Sequence, residues 1–448
     1  MFAVQLNGQW MAWVDALAKP LHGRSAWRLT HVIIGILLAH GRRTASSWWR
    51  AAGIGEEFRS YYYFLDTIGR KATAVAAVIF ALLHDQLDEG EGRRLLAIDD
   101  TPTERYGPRV QGAGIHHDPT PGPAGSKFVY GHSWVVLSRV ANHPQCGTIG
   151  LPLLGRLYIR RKDVPELPPR IDWTFRTKPV IAAEMITWAG SLASGPGRRQ
   201  WVAVDGGYAN REFLKPAKRA GFVVVARLRR DAELYDLPRE LKPGERRGRG
   251  RPPVYGKNRL SLAKRAGQTR GWQTVEVVTT AGRVVTKTVK TFLATWRPAG
   301  GAVRVVIIKE DDGSWRAILC TDPEASVEEI VQATVDRWSI EQNFHDLKEV
   351  EGIEQVQLRR VWSNVGALNL NLWVHTLVEL WGWNRPVEHL SDRSESPWDD
   401  ADRRPSHADR RKALQREMLE EGFQRAWGRL PLPPIIRQLV DRVVRMVA

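Results

Sequence analysis

Cysteine is nearly missing from this chain: Cys146 and Cys320 are the only two among 448 residues. Neither has a partner at CxxC spacing, which excludes a disulfide scaffold and a zinc ribbon and predicts a reducing compartment. Long apolar runs are also missing. The longest, 32–39 and 72–83, fall short of the ~20 residues that cross a bilayer, so no membrane partner is expected. The start, Met-Phe-Ala-Val-Gln, lacks the basic region of an export signal. No GxxxxGK[ST] loop occurs, so ATP is not implied. Acid is in short supply: 49 Asp and Glu stand against 66 Lys and Arg, a net charge of +17. That excess calls for a polyanionic partner, nucleic acid first.

The rest is the composition of a folded chain, 43% hydrophobic and 26% charged, long enough for two to four domains. Residues 1–90 read as helix, with apolar residues at helical spacing through Trp27, Val32, Ile33 and Leu37, and again through Val75, Val78, Ile79 and Leu82. Between them, Thr44 or Ser46 can cap a short helix that Gly53 ends; it reads either as the second helix of a helix-turn-helix or as a core helix with a basic face. Residues 91–228 alternate strands (95–98, 133–138, 155–160, 201–204, 222–226) with a helix at 180–192, an α/β layer pattern. Residues 229–314 open with an exposed basic stretch, eleven Lys or Arg against two Glu over 238–270, and continue as strands at 274–279, 284–295 and 303–308. Within 315–385, Ser326 and Glu329 form a capping box that starts one long helix running to Gly352, and 365–380 is a second apolar helix. Residues 386–448 read as an exposed linker, to about 410, and a C-terminal amphipathic helix broken at Pro431–Pro434.

Two buried apolar runs end in acid: Asp99-Asp100-Thr101 and Val204-Asp205-Gly206. Sites in open α/β sheets gather outside the carboxyl ends of strands. Successive strand residues point to opposite faces, so only one of Asp99 and Asp100 should face such a site. A third acid, Glu341, shares a helix face with Thr334, Arg337, Trp338, His345 and Lys348.

Arg337-Trp338-Ser339-Ile340-Glu341, followed by Lys348, resembles the Arg-x3-Glu-x6-Lys signature of bacterial insertion-sequence transposases of the Asp-Asp-Glu class. The order of the other parts resembles that family too: a strand-end Asp-Thr, a second strand-end Asp, a β-rich insertion, then the Glu helix. The resemblance covers about residues 90–385. It departs at Thr334, where the family signature usually has Tyr. It implies a ribonuclease-H-like catalytic core interrupted by a β-rich insertion, with helical N- and C-terminal regions, the first of them binding DNA. It further implies that Asp100, Asp205 and Glu341 are catalytic and hold metal, while Arg337 and Lys348 grip phosphates; a salt bridge to a neighbouring acid is the other reading of Lys348. Carboxylate oxygens suit Mg²⁺ or Mn²⁺. Two such ions about 3.5–4 Å apart can activate an attacking oxygen and stabilise a leaving one. The implied activity is cleavage at the element ends followed by joining of the 3′-hydroxyl to target DNA. The partners are then double-stranded DNA and, because two ends must meet, a second copy of the chain. A cytoplasmic, nucleoid-associated location follows. The alternatives are a nuclease on the same fold without joining and a DNA-binding regulator without cleavage.

Other segments add less. Arg249-Gly250-Arg251-Pro252 looks like an AT-hook core, and with Arg246 and Arg247 it is expected to touch DNA, in a narrow minor groove or at phosphates. His116-His117-Asp118 reads as a surface loop rather than a metal cluster. Trp338 reads as packing that supports the Glu helix. Tyr208 lies near Asp205 but lacks the Arg-His company that a nucleophilic tyrosine would need.

Overall fold

The computed structural model describes residues 5–87, 92–117, 126–193, 199–239, 250–393, 398–400, 402–428 and 433–447. The N-terminal helices are α1 (Gly8–Ala18), α2 (Gly23–Ala26), α3 (Arg28–Leu38), α4 (Ala45–Ala51) and α5 (Phe58–Gln86). Four strands follow, β1 (Arg93–Glu104), β2 (Gly114–His117), β3 (Phe128–His143) and β4 (Gly147–Tyr158), then α6 (Lys178–Leu192), β5 (Arg199–Val204), α7 (Arg211–Arg219) and β6 (Phe222–Leu228). The insertion carries β7 (Leu234–Tyr235), β8 (Arg259–Leu260), α8 (Leu262–Ala266), β9 (Gln273–Val278), β10 (Val284–Trp296) and β11 (Gly301–Lys309). The chain closes with β12 (Trp315–Cys320), α9 (Val327–Asp336), α10 (Ser339–Glu349), α11 (Val361–Gly382), α12 (Val387–Leu390), α13 (His407–Trp427) and α14 (Pro434–Val447).

Among the described residues all strands join one mixed sheet, in the order β2-β3-β1-β5-β6-β12-β11-β10-β7-β8, with β4 on β3 and β9 on β10. Its centre is ribonuclease-H-like: β4-β3-β1 are antiparallel neighbours, and β1-β5-β6 are parallel. The β-rich insertion extends this sheet, because β12 pairs with both β6 and β11. The apolar run Leu95–Ile98 is buried on both faces, as a central strand requires. Leu96, Ile98, Val202 and Val204 share a core with α5, α6 and α11, whereas Leu95, Ala97, Trp201 and Ala203 pack under α9 and α10. The sheet is therefore a filling between two helical layers.

Helix α5 is long and apolar enough to cross a membrane by length and composition, and here its buried face lies against α11. The two approach at backbone distance: a Cβ on Gly69 would sit 1.9 Å from the Trp362 carbonyl, and one on Gly366 2.1 Å from that of Leu65. Thr44 caps α4 as expected, but Ala45, Ser47, Trp48 and Trp49 are buried. That leaves Ser46 and Arg50 outward, so α4 packs as a core helix with a narrow polar face.

Three other expectations change. The single helix from Ser326 is two: its capping box is present, but the ladder breaks at Arg337–Trp338, where bonds run from residue i+3 to residue i and the Ser339 hydroxyl donates to the Asp336 carbonyl. His116 is not in a surface loop but buried on β2, while Asp118 lies outside the described residues. The end of the expected linker is not exposed, since His407 and Arg410 are buried against the acids of α11 and the segment after α10.

Candidate active site

Parallel pairing of Ile98 with Val204 brings the acids that follow these residues to the same edge of the sheet. Alternation along β1 sends Asp99 to the face under α9 and α10 and Asp100 to the face of α6. Their partners agree. The Arg337 guanidinium donates from Nη1 to Asp99 Oδ2 at 2.6 Å and from Nη2 to Glu341 Oε1 at 3.0 Å, so one cation joins an acid within β1 to the helix acid. Asp100 instead accepts from Lys178 Nζ at 2.5 Å and from the Tyr208 hydroxyl at 2.9 Å. Both neighbours on β1 are thus engaged at the site, where the sequence suggested one.

The electrostatics tie these groups together. Burial pushes the Asp99 carboxyl up to about 7; Arg337 opposes this, and the nearby charges of Asp100 and Asp205 add to it. Tyr208 is raised well above the usual phenol range, first by burial and then by Asp100, Asp99 and Asp205. Three aspartates therefore share one field just past the last β1–β5 pair, and Glu341 reaches Asp99 through Arg337. Glu341 stands in the first turn of α10, where the helix dipole favours a carboxylate. The candidate donors are all hard carboxylate oxygens, a set that fits Mg²⁺ or Mn²⁺ better than Zn²⁺.

The expected cations are distributed unevenly. Arg337 is inside the acid cluster, and Lys348, two turns beyond Glu341 on α10, lies 3.4 Å from Glu354. Arg246, Arg247 and Arg249 fall outside the described residues. Arg251 is exposed and lines an open basic groove of about 600 Å³ with Lys215, Lys218 and Arg219. Trp338 does not support the helix by burial; it is 50% exposed at the break between α9 and α10. Sequence reasoning missed Lys178, the first residue of α6, since nothing local marks it as a partner of Asp100. Tyr208 carried a signal, three residues after Asp205, but its observed part is that of a donor.

A second titratable group lies nearby, fully buried. His407 bridges Glu379, 2.6 Å from Nδ1, and Glu351, 3.0 Å from Nε2. Arg410 pairs with Glu379 and Arg411 with Glu351. Burial works against the imidazolium, but hydrogen bonds to Glu351 and Glu379 raise His407 to about 9. His375, Glu379 and His407 offer ligand atoms within 4.8 Å of one another. The two imidazoles, however, are stacked at 3.9 Å and 10°, so their in-plane lone pairs run parallel instead of converging, and both nitrogens of His407 are engaged. This is an ion cluster in which three cations enclose two carboxylates, and its geometry is poor for a metal.

Comparison with known proteins places the chain in a family. Residues 17–297 match the profile described as DDE superfamily endonuclease, a span that includes Asp100 and Asp205 and stops short of Glu341. Among solved structures the chain is similar to a piggyBac transposase synaptic complex with hairpin DNA, at 10% identity and a TM-score of 0.36, over 98% of this chain and 84% of that one. No curated protein matches it.

Proposed function

The chain belongs to the DDE superfamily of endonucleases, and from that premise we propose that it is a DNA transposase which cuts element ends and joins the freed 3′-hydroxyl to target DNA. What supports the reading is that Arg337 joins Asp99, the neighbour of Asp100 on β1, to Glu341 on α10, while the charges of Asp100 and Asp205 act on the same Asp99 carboxyl. In this reading Asp100, Asp205 and Glu341 hold two Mg²⁺ or Mn²⁺ ions, which when bound supply activation of the attacking oxygen and stabilisation of the leaving one. Water first attacks the phosphodiester at the end, and the resulting 3′-hydroxyl attacks the target; both are displacements at phosphorus, so one site serves both.

The chain's own residues prepare that site. Lys178 and the Tyr208 hydroxyl fix both oxygens of Asp100. Tyr208 keeps its proton in the field of three carboxylates, so it remains a donor and not a nucleophile. Arg337 and Lys348 grip phosphates of the end DNA. A phosphate that draws Arg337 away also frees Glu341 Oε1 to act as a ligand. Arg246, Arg247, Arg249 and Arg251 add contacts along the duplex, and two copies of the chain hold two ends. Such a protein works at the nucleoid. The test is incubation of wild type and of Asp100→Asn, Asp205→Asn and Glu341→Gln with element-end DNA and Mg²⁺. Loss of cleavage and joining with DNA binding retained is expected. Normal cutting by any of the three overturns the acid assignment, and cutting without joining makes the protein a nuclease.

A further inference from the structure

One strand beyond Asp205 stands a cation that the proposed reaction leaves unused. Ile98 pairs with Val204 in the parallel β1–β5 ladder, and Val204 pairs with Ala226 in the parallel β5–β6 ladder. Asp99, Asp205 and Arg227 therefore follow at one level on three neighbouring strands, which lie about 4.8 Å apart. Alternation sends all three to the same face: Ala97, Ala203 and Val225, two residues earlier on each strand, belong to the core under α9 and α10. Arg227 is exposed, and among the described residues its side chain has no hydrogen-bond or ion-pair partner. Its neighbours are engaged. Arg229 pairs with Asp231 at 3.1 Å, and Arg230 lies 5.0 Å from the centre of the Trp315 ring and donates to the Trp315 carbonyl. These groups wall an open cleft of about 760 Å³ that starts at Asp205, where four arginines stand against two aspartates.

The two sides of the acid cluster are differently equipped. Helix α10, which carries Glu341 and Lys348, packs on β4 and β1, whereas Arg227 lies on β6, across Asp205 from β1. In the proposed function, on which this inference rests, Arg337 and Lys348 hold the element end on the α10 side. Bond order then dictates what the other side receives. In cleavage a water oxygen bonds to phosphorus, the bond from phosphorus to the element 3′-oxygen breaks, that oxygen takes up the proton water gives, and the phosphate stays on the flanking strand. In joining, the 3′-oxygen bonds to a target phosphorus, the bond to the target's own 3′-oxygen breaks, and the proton passes from the first oxygen to the second. The phosphorus therefore belongs to flank in one step and to target in the next. We propose that Arg227 is a positioning residue that holds a phosphate of this second strand, flank before the cut and target after it. An unpaired guanidinium offers a planar fork that matches two phosphate oxygens.

The test uses the full chain and two duplexes, the element end alone and the same end followed by flanking DNA. Affinities are read by fluorescence anisotropy without divalent cation, so that no bond is cut. Wild type is expected to bind the flanked duplex about 10-fold tighter, the worth of one charge-assisted pair. Arg227→Gln should erase that advantage and leave affinity for the bare end unchanged, and Arg227→Lys should keep part of it. A neutral methylphosphonate, moved along the flank linkages, should cost wild type about 10-fold at one position and cost Arg227→Gln nothing there. With Mg²⁺, a pre-cut end and plasmid as target, Arg227→Gln should raise the KM for target about 10-fold with kcat nearly unchanged. An arginine that is merely solvated moves none of these readouts. The proposal is overturned if Arg227→Gln keeps the flank advantage, or if it weakens the bare end as much as the flanked one. A lost flank advantage with an unchanged target KM overturns the target assignment. The flank measurement needs no cutting, so normal cleavage by the acid variants would sink the proposed acids and leave this contact standing.

Discussion

Removing Arg411 gives the sharpest test of what anchors α13 to the segment that follows α10. Arg411 is buried on α13. Its Nη1 donates to Glu351 Oε2, and its Nη2 donates to the carbonyls of Ile36 and Leu37. Arg411→Met keeps the packing volume but leaves Glu351, also fully buried, with His407 as its hydrogen-bonded cation, and strips a donor from two carbonyls. Breaking one side of a buried pair costs about 3–5 kcal/mol, because the other charge is left uncompensated. A chain of 448 residues unfolding as a unit has an unfolding entropy near 1 kcal/mol per kelvin, so the melting temperature should fall by about 3–5 °C. Scanning calorimetry at neutral pH measures it. The physical claim is that the cost comes from the stranded carboxylate, so Glu351→Gln added to Arg411→Met should recover most of the loss. A single-variant cost under about 1 kcal/mol, or a double variant no better than the single, would refute the reasoning.

Other outcomes follow from the same contacts. His407 is raised to about 9 from its usual 6.5, so its stabilisation is complete below 6.5 and is lost as pH rises through 9; melting temperature should fall between pH 7 and 10 in wild type and less in His407→Gln. Tyr208→Phe removes one hydrogen bond to the Asp100 carboxylate and should slow cleavage by about 10- to 100-fold without abolishing it. Complete loss with a trapped protein–DNA adduct in wild type would reinstate a tyrosine nucleophile. Arg251→Ala should reduce the slope of log affinity against log salt by about one; an unchanged slope means that this exposed arginine does not meet a phosphate.

Much of the architecture was legible in one dimension because its signals are local. Continuous apolar runs mark strands buried on both faces, so 95–98 and 201–204 read correctly as central strands; Asp205 follows the end of β5, but Asp99 and Asp100 lie inside β1, which runs on to Glu104 against β3. The Ser326 capping box sets a helix start by side-chain to backbone bonds within four residues, and it forms as read. The break at Arg337–Trp338 carried no such mark: neither Gly nor Pro is present, and the turn coincides with an arginine held 238 positions away in sequence at Asp99. The burial of His407, Arg410 and Arg411 was hidden for a related reason. A charged, Pro- and Asp-rich stretch looks solvated until its partners are known, and these partners come from α11 and the segment after α10.

The sequence by itself determined which residues could carry chemistry: two acids after buried apolar runs and one on a polar helix face, their hard-oxygen character, and an excess of cations for a polyanion, all of which depend on residue type and short-range spacing. Tertiary structure alone decided how they are grouped. It put Asp99 with Glu341 on one guanidinium, and Asp100 with Lys178 and Tyr208 on the opposite face of the same strand. Those pairings depend on strand register, pleat and helix placement, which are set by packing between distant segments and leave no pattern in any single stretch of chain.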